Sequence, residues 1–431
     1  MKGKLAVVAL LGVVGLSNAE VVENPILKKL VEKGILTQQE AAAIDEQLAK
    51  EEAERARYQA EIDKVAMETK EKLDKMDKKF KDMPELKGKF KKLEISGWGF
   101  GGYTYEDKKV GQDTGNFEIR RFYFKVKYGL NDKDYIRFTT DTSGMNRDDT
   151  DKKAGQQYVT KIKYAYLHKD ISSLIPNTSF DIGIVHTPWI GFEEKTGWFY
   201  RAIERVFYEA PNGAFVLPSA DAGLNFVTKT PYITAEYGIY NGEGYDRLNR
   251  ADKGSFGHAF NNMVAARVTY HIMGDGKKKI DPFKDTYANL SAYVHSSANH
   301  RGSDKNLDVY LVHGVYNHPN FLVAGQYVKK VYGTKDTDGS GNGYSLNFEI
   351  RPNKEWAVFG RYDHFKLDNL PSNWTNWKER DQYIFGVKYV MSKHINWIAN
   401  IQTVDYSGAK NNLDNKKNEF TKYMLTAELT W

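Results

Sequence analysis

The 431-residue chain has no cysteine, only 11 prolines and, beyond residue 20, no apolar run approaching the ~20 residues that a membrane-spanning helix needs. The missing cysteine excludes a disulfide scaffold, a thiolate metal site and thiol chemistry. The ten histidines occur without an HExxH, and no GxSxG, P-loop or strand-linked GxGxxG accompanies them. No catalytic residue, cofactor or metal site is therefore expected, and the chain does not read as an enzyme. His186, His271, His313 and His364 fall on strand-like runs as lumen or interface residues. Asp336, Asp338 and Gly339 lack the glutamate that a calcium loop requires. The net charge of +6 is far from a nucleic-acid binder's balance.

What is present falls into three segments. Residues 1–19 read as a signal peptide: Lys2 and Lys4, an apolar core from Leu5 to Leu16, and Ser17-Asn18-Ala19 as a cleavage site. Residues 20–92 read as a helical, coiled-coil arm. A short helix from Pro25 to Lys33 ends at Gly34. Thr37 and Glu40 form a capping box for a second helix, which runs to about Lys81 and is stopped by Pro84. Ile44, Leu48, Tyr58, Ile62, Val65, Leu73, Met76 and Phe80 recur at coiled-coil spacing. Glu51 and Arg55 interrupt the seam, and the register shifts near Thr69. This is either a self-associating periplasmic stalk or a solvated single helix.

Residues 93–431 alternate apolar and polar in about sixteen runs: 93–105, 117–129, 134–142, 158–169, 179–186, 220–229, 232–240, 262–272, 286–296, 307–317, 321–332, 344–351, 355–365, 382–391, 396–406 and 420–431. Their connections are alternately short and long. That pattern predicts an all-β transmembrane barrel of about 16 antiparallel strands, preceded by the helical arm. An even strand number returns both chain ends to one side of the membrane. The longest connection, 187–219, is aromatic and charged, and is expected to fold inward as a constriction carrying Trp189, Glu193, Glu194, Arg201, Glu204 and Arg205.

Period-2 parity assigns faces. In the second run Phe122, Phe124, Val126 and Tyr128 share the lipid side, and Arg121, Lys125 and Lys127 the wet side, since a lipid-facing base costs ~2–4 kcal/mol at mid-membrane. Arg120 falls with the apolar set, which would place it near an interface. The same parity turns Arg137 and Asp141, Lys161 and Lys163, Arg267, Arg361 and Asp363, and Lys388 inward. Several strands thus bring inward bases without an acid on the same face, a lining that favours anions.

Three pieces of sequence resemble the phosphate-selective porin family: Phe117–Gly129 with its Arg120-Arg121 pair and closing glycine, Gly183 to Pro188 at a strand end, and Glu204-Arg205 in the long loop. The resemblance implies a 16-stranded, usually trimeric outer-membrane channel with its third long loop folded inward. It also implies a C-terminal aromatic, here Trp431, read by the barrel-assembly machinery. The family's dense ladder of basic lumen residues is thinner here, and acids share the long loop. The expected function is passive diffusion of small hydrophilic solutes across the outer membrane, with anions such as phosphate preferred and the arm in the periplasm. The alternative is a tether whose arm contacts the cell wall and whose barrel only anchors it in outer-membrane lipid.

Overall fold

The computed structural model describes residues 24–81, 92–145, 157–242, 244–245, 263–298, 306–333, 339–368, 378–408, 416 and 419–431. The expected signal segment, Pro84, Asp336 and Asp338 lie outside them. The chain divides into two compact units, 1–88 and 89–431.

The first unit holds α1 (Pro25–Glu32) and α2 (Gln38–Lys81). Asn24 caps α1 by accepting from the Ile26 amide at 2.9 Å. Gly34 then adopts φ 69° to turn the chain. The capping box forms as read: the Thr37 amide donates to Glu40 at 2.9 Å, and the Glu40 amide donates to Thr37 Oγ1 at 3.3 Å. Leu27 of α1 packs on Ala41 and Ala42, ringed by Leu30, Val31, Leu36 and Ile44. From Leu48 to Leu73 the large apolar residues of α2 are exposed.

The second unit is a closed antiparallel barrel of β1 (Leu93–Lys108), β2 (Thr114–Gly129), β3 (Tyr135–Met145), β4 (Gln157–Asp170), β5 (Thr178–His186), β6 (Ala220–Lys229), β7 (Ile233–Tyr240), β8 (Met263–Met273), β9 (Tyr287–Ser297), β10 (Leu307–His318), β11 (Phe321–Tyr332), β12 (Gly341–Ile350), β13 (Trp356–Leu367), β14 (Glu379–Ser392), β15 (Ile395–Ser407) and β16 (Phe420–Thr430). Each strand pairs with its sequence neighbours, and β1 closes on β16, with Gly99 opposite Leu429. Most boundaries fall within a few residues of the expected ones. β1, β2 and β3 extend further toward the long-loop rim.

The barrel is inside out. On β9, Asn289, Ser291 and His295 are each 2% exposed, whereas Leu290 and Val294 are 56% and 48% exposed. Aromatic pairs line the outer wall of β13 and β14: Trp356 on Tyr389 at 4.8 Å at the short-loop end, and Tyr362 on Tyr383 at 4.9 Å midway along the ladder. Trp431 lies outside against Phe122, ring centres 4.9 Å apart, and over Gly97, where a Cβ would strike the indole. One short-rim link departs from the expected alternation. Residues 274–286 form a long turn, held by Asn317, which donates to the carbonyls of Pro282 (2.9 Å) and Asp285 (2.8 Å).

Two register shifts matter for the lumen. On β2, Phe100 pairs with Arg121 but Gly101 with Ile119, leaving Arg120 as an extra residue. On β4, Thr139 pairs with Tyr164 but Thr140 with Ile162, leaving Lys163 extra. Such bulges point two consecutive side chains the same way. Arg120 therefore turns into the lumen beside Arg121, and its expected place on the lipid side near an interface is corrected.

Candidate functional site

The long loop 187–219 lies inside the barrel. Its ends meet where the Thr187 amide donates to the Ser219 carbonyl at 3.2 Å, and it opens with α3 (Ile190–Thr196). Trp189, Trp198 and Tyr200 are buried, Tyr200 stacked on Phe359 of β13 at 3.6 Å. An irregular segment carries backbone carbonyls that helices and sheets would otherwise satisfy. Here wall side chains satisfy them. Arg267 of β8 donates to Pro188 at 2.7 Å, Asn347 of β12 to Gly197 at 2.7 Å, Arg361 of β13 to Arg205 at 2.7 Å, and Arg120 to Ala202 at 3.2 Å. Tyr287 of β9 donates to Thr196 at 2.7 Å and Gln382 of β14 to the Glu204 carboxylate at 3.1 Å.

The charges within the loop are mostly consumed there. Arg201 is buried and pairs with Glu209, with Glu194 at 3.4 Å. Burial alone would raise the Glu209 carboxyl, but Arg201, Arg205 and Lys163 outweigh it and hold it at about 2. Glu193 accepts from Trp189 Nε1 at 2.7 Å and from Gln326. Burial pushes its carboxyl up to about 7, against the opposing pull of Arg361. Glu204 and Arg205 stay half-buried.

The inward bases sort into two groups. On the far wall, bases meet acids: Arg267 pairs with Glu236 at 2.7 Å, and Arg361 with Asp363 at 2.7 Å. The expectation of an unopposed base fails for Arg267, because the neighbouring strand supplies the acid, which same-strand parity does not reveal. Arg121 likewise pairs with Asp141 at 2.7 Å, and Tyr245, from the loop after β7, donates to the same carboxylate at 2.5 Å.

On β2–β4 several bases meet rings instead. Lys163 sits over Tyr123 at 4.5 Å, Arg137 over Tyr164 at 4.4 Å and Lys127 over Tyr135 at 4.4 Å. Lys127 also has Glu94 at 3.4 Å. Lys125, Lys161 and Arg137 are half-buried. Lys388 on β14 follows the same scheme, over Phe283 at 4.9 Å and Tyr200 at 5.5 Å. A ring attracts a cation by its quadrupole without cancelling its charge. The β2–β4 wall thus keeps positive charge at Lys127, Arg137 and Lys163, as β14 does at Lys388, whereas Arg121, Arg267 and Arg361 are paired with carboxylates.

Near the long-loop rim a cavity of about 540 Å³ separates this wall from the inserted loop. It is lined by Arg120, Arg121, Arg201, Arg205 and Lys422, with Glu106, Glu118 and Glu204. Sequence reading missed Arg120, Tyr245 and Glu236 as lumen residues. A signal for the first exists: Ile119 and Phe122 both belong outside, so one residue too many lies between them. Of the histidines, His186 meets Arg137 at 3.0 Å and His313 packs on Trp189, both inside, whereas His364 binds Asp381 at 2.9 Å among the outward tyrosines.

No protein-family model matches the chain, and no curated protein matches it by sequence. Solved structures do match its fold. OprB of Pseudomonas putida, determined at high pH, aligns with a TM-score of 0.58 at 7% identity over 81% of this chain and 96% of its own. The anion-selective porin from Comamonas acidovorans aligns at 0.54 and 12% identity over 79% and 99%. The outer membrane channel DcaP of Acinetobacter baumannii aligns at 0.52 and 12% identity over 79% and 97%. At these identities the likeness establishes a shared barrel architecture.

Proposed function

We propose that this protein is an outer-membrane diffusion channel that passes small hydrophilic solutes and prefers anions. The observation that carries the preference is the β2–β4 wall, where Lys127, Arg137 and Lys163 are held over tyrosine rings and Lys125 and Lys161 stay partly open. Elsewhere in the lumen, Arg267, Arg361 and Arg201 are each spent on a carboxylate. The inserted loop leans on β8, β9 and β11–β15 and meets β2 through Arg120, and the cavity beside Arg120 and Arg121 is the path this reading assigns to solute. Strands lie ~4.8 Å apart, so these bases act as one patch whose potential fades as the Debye length shortens from ~10 Å at 0.1 M salt. The inside-out wall and the likeness to outer-membrane porins support the location. The resemblance adds phosphate as a candidate anion, a homotrimer as the working form, and recognition of Trp431 by the assembly machinery.

Bilayer recordings in a KCl gradient test this. The wild type should show an anion-selective reversal potential. Lys125→Glu, Lys127→Glu and Lys161→Glu together should move it toward cations, more at 0.1 M than at 1 M salt. An unchanged potential at low salt would reject the mechanism. Inorganic phosphate should depress chloride current if it is the favoured solute. The packed loop favours one other reading, a wall-bound tether with a plugged barrel, and that form would pass no current.

A further inference from the structure

Among the described residues of its unit, nothing covers the apolar stripe of the helical arm beyond the first turns of α2. α1 caps the first turns of α2, and beyond them Tyr58, Ile62, Val65 and Leu73 are about 60% exposed on one stripe. The ion pairs Glu46–Lys50 at 2.6 Å and Glu71–Lys75 at 2.7 Å lie on the opposite side. The stripe runs through Ile44, Leu48, Glu51, Arg55, Tyr58, Ile62, Val65, Thr69 and Leu73, with alternating steps of three and four and one extra four-residue step at Thr69. That spacing suits another helix of the same repeat, and the extra step is a stutter that coiled coils absorb.

We infer that α2 packs in parallel and in register against α2 of the neighbouring copies of the same oligomer, and that Glu51 and Arg55 form the charged layer that sets the register. The parallel sense rests on the proposed function only in this: barrels in one membrane present their arms on one side. In register, Arg55 of one copy lies one turn from Glu51 of the next, so the two polar interruptions satisfy each other. A register slipped by one heptad would set Glu51 against Ile44 or Tyr58 and Arg55 against Leu48 or Ile62. The seam loses stability at this layer and gains a single alignment.

The absence of cysteine gives a clean test in the full-length protein in native membranes. Under mild oxidation, Ile62→Cys and Leu73→Cys should each produce a cross-linked dimer, and Ala60→Cys, on the opposite side, should not. An antiparallel pair could satisfy only one of the two seam positions. In the Ile62→Cys background, Glu51→Arg should lower the cross-link yield roughly threefold, and adding Arg55→Glu should restore it. Equal yields at Ala60 and Ile62, a dimer at only one seam position, or no rescue by the double reversal would overturn the inference. Conductance of the same samples keeps this outcome separate from the channel reading, because none of these residues lies in the barrel.

Discussion

At the residue scale, the lumen is governed by where single charges find their partners. Arg120 shows how one inserted residue reverses a parity assignment. In the lumen it bonds Thr104 at 3.1 Å, Glu118 at 3.0 Å and the Ala202 carbonyl at 3.2 Å, linking wall to loop. Glu193 shows the cost of burying a carboxyl. With its carboxyl at about 7 in the fold against 4.5 free, the loop's seat is strongest below pH 4.5 and weakens as pH rises through 7, where the protein must hold a carboxylate in a dry site. Single-channel recordings should therefore grow noisier between pH 5 and pH 8, and Glu193→Gln should flatten that dependence. A wild-type trace equally quiet across this range would show that Glu193 does not control the seat. The inward positions of Arg121, Lys125, Lys127, Arg137, Lys161 and Lys163 are legible from alternation alone. Their partners are not, because a partner sits on another strand or another loop.

At the element scale, the inserted loop lies inward as its composition predicts, and what holds it there comes from other parts of the chain. Aromatic and charged content marks it as something other than a solvated connection. What holds it is a set of wall donors, Arg267 and Tyr287 from β8 and β9 and Asn347 and Arg361 from β12 and β13, all distant from the loop along the chain. Tyr200 is its main apolar anchor, 1% exposed and stacked on Phe359. Removing a buried ring of this size costs ~3–5 kcal/mol. Most of that should appear as loosening of the loop, because the ladder hydrogen bonds of β13 are untouched. Tyr200→Ala should raise single-channel conductance and weaken selectivity while the barrel stays closed. A variant with wild-type conductance would mean that the loop does not narrow the path.

At the scale of the whole molecule, each unit is stabilised in its own way. The barrel closes β1 on β16 and so leaves no sheet edge, and its apolar surface faces outward. Purified in detergent, it should be β-rich, and boiled and unboiled samples should migrate differently on a gel. A helix-dominated particle stable without detergent would contradict the barrel in solution. All sixteen strands lie after residue 92, so deleting residues 20–92 should leave a conducting barrel with the wild-type reversal potential. The arm's loss should shorten the lifetime of the oligomer or weaken contact with the cell wall. Loss of all conductance in the truncated form would show that the units depend on each other.

Alternation of period 2 and the capping box are local signals, and from them the sequence by itself determined about sixteen strands, their faces apart from Arg120, the order of long and short links apart from 274–286, and α1 and α2 with Gly34 ending the first and the capping box opening the second. Local patterns suffice there, because each residue's direction follows from its neighbours in the chain. The tertiary structure alone decided that Arg120 faces the lumen, that Glu236 neutralises Arg267, that tyrosines from β2–β4 cradle Lys127, Arg137 and Lys163, and which wall side chains hold residues 187–219 inside. Those outcomes depend on register between strands and on which side chains reach across a closed ring, and closure brings together residues whose separation along the chain carries no record of the encounter.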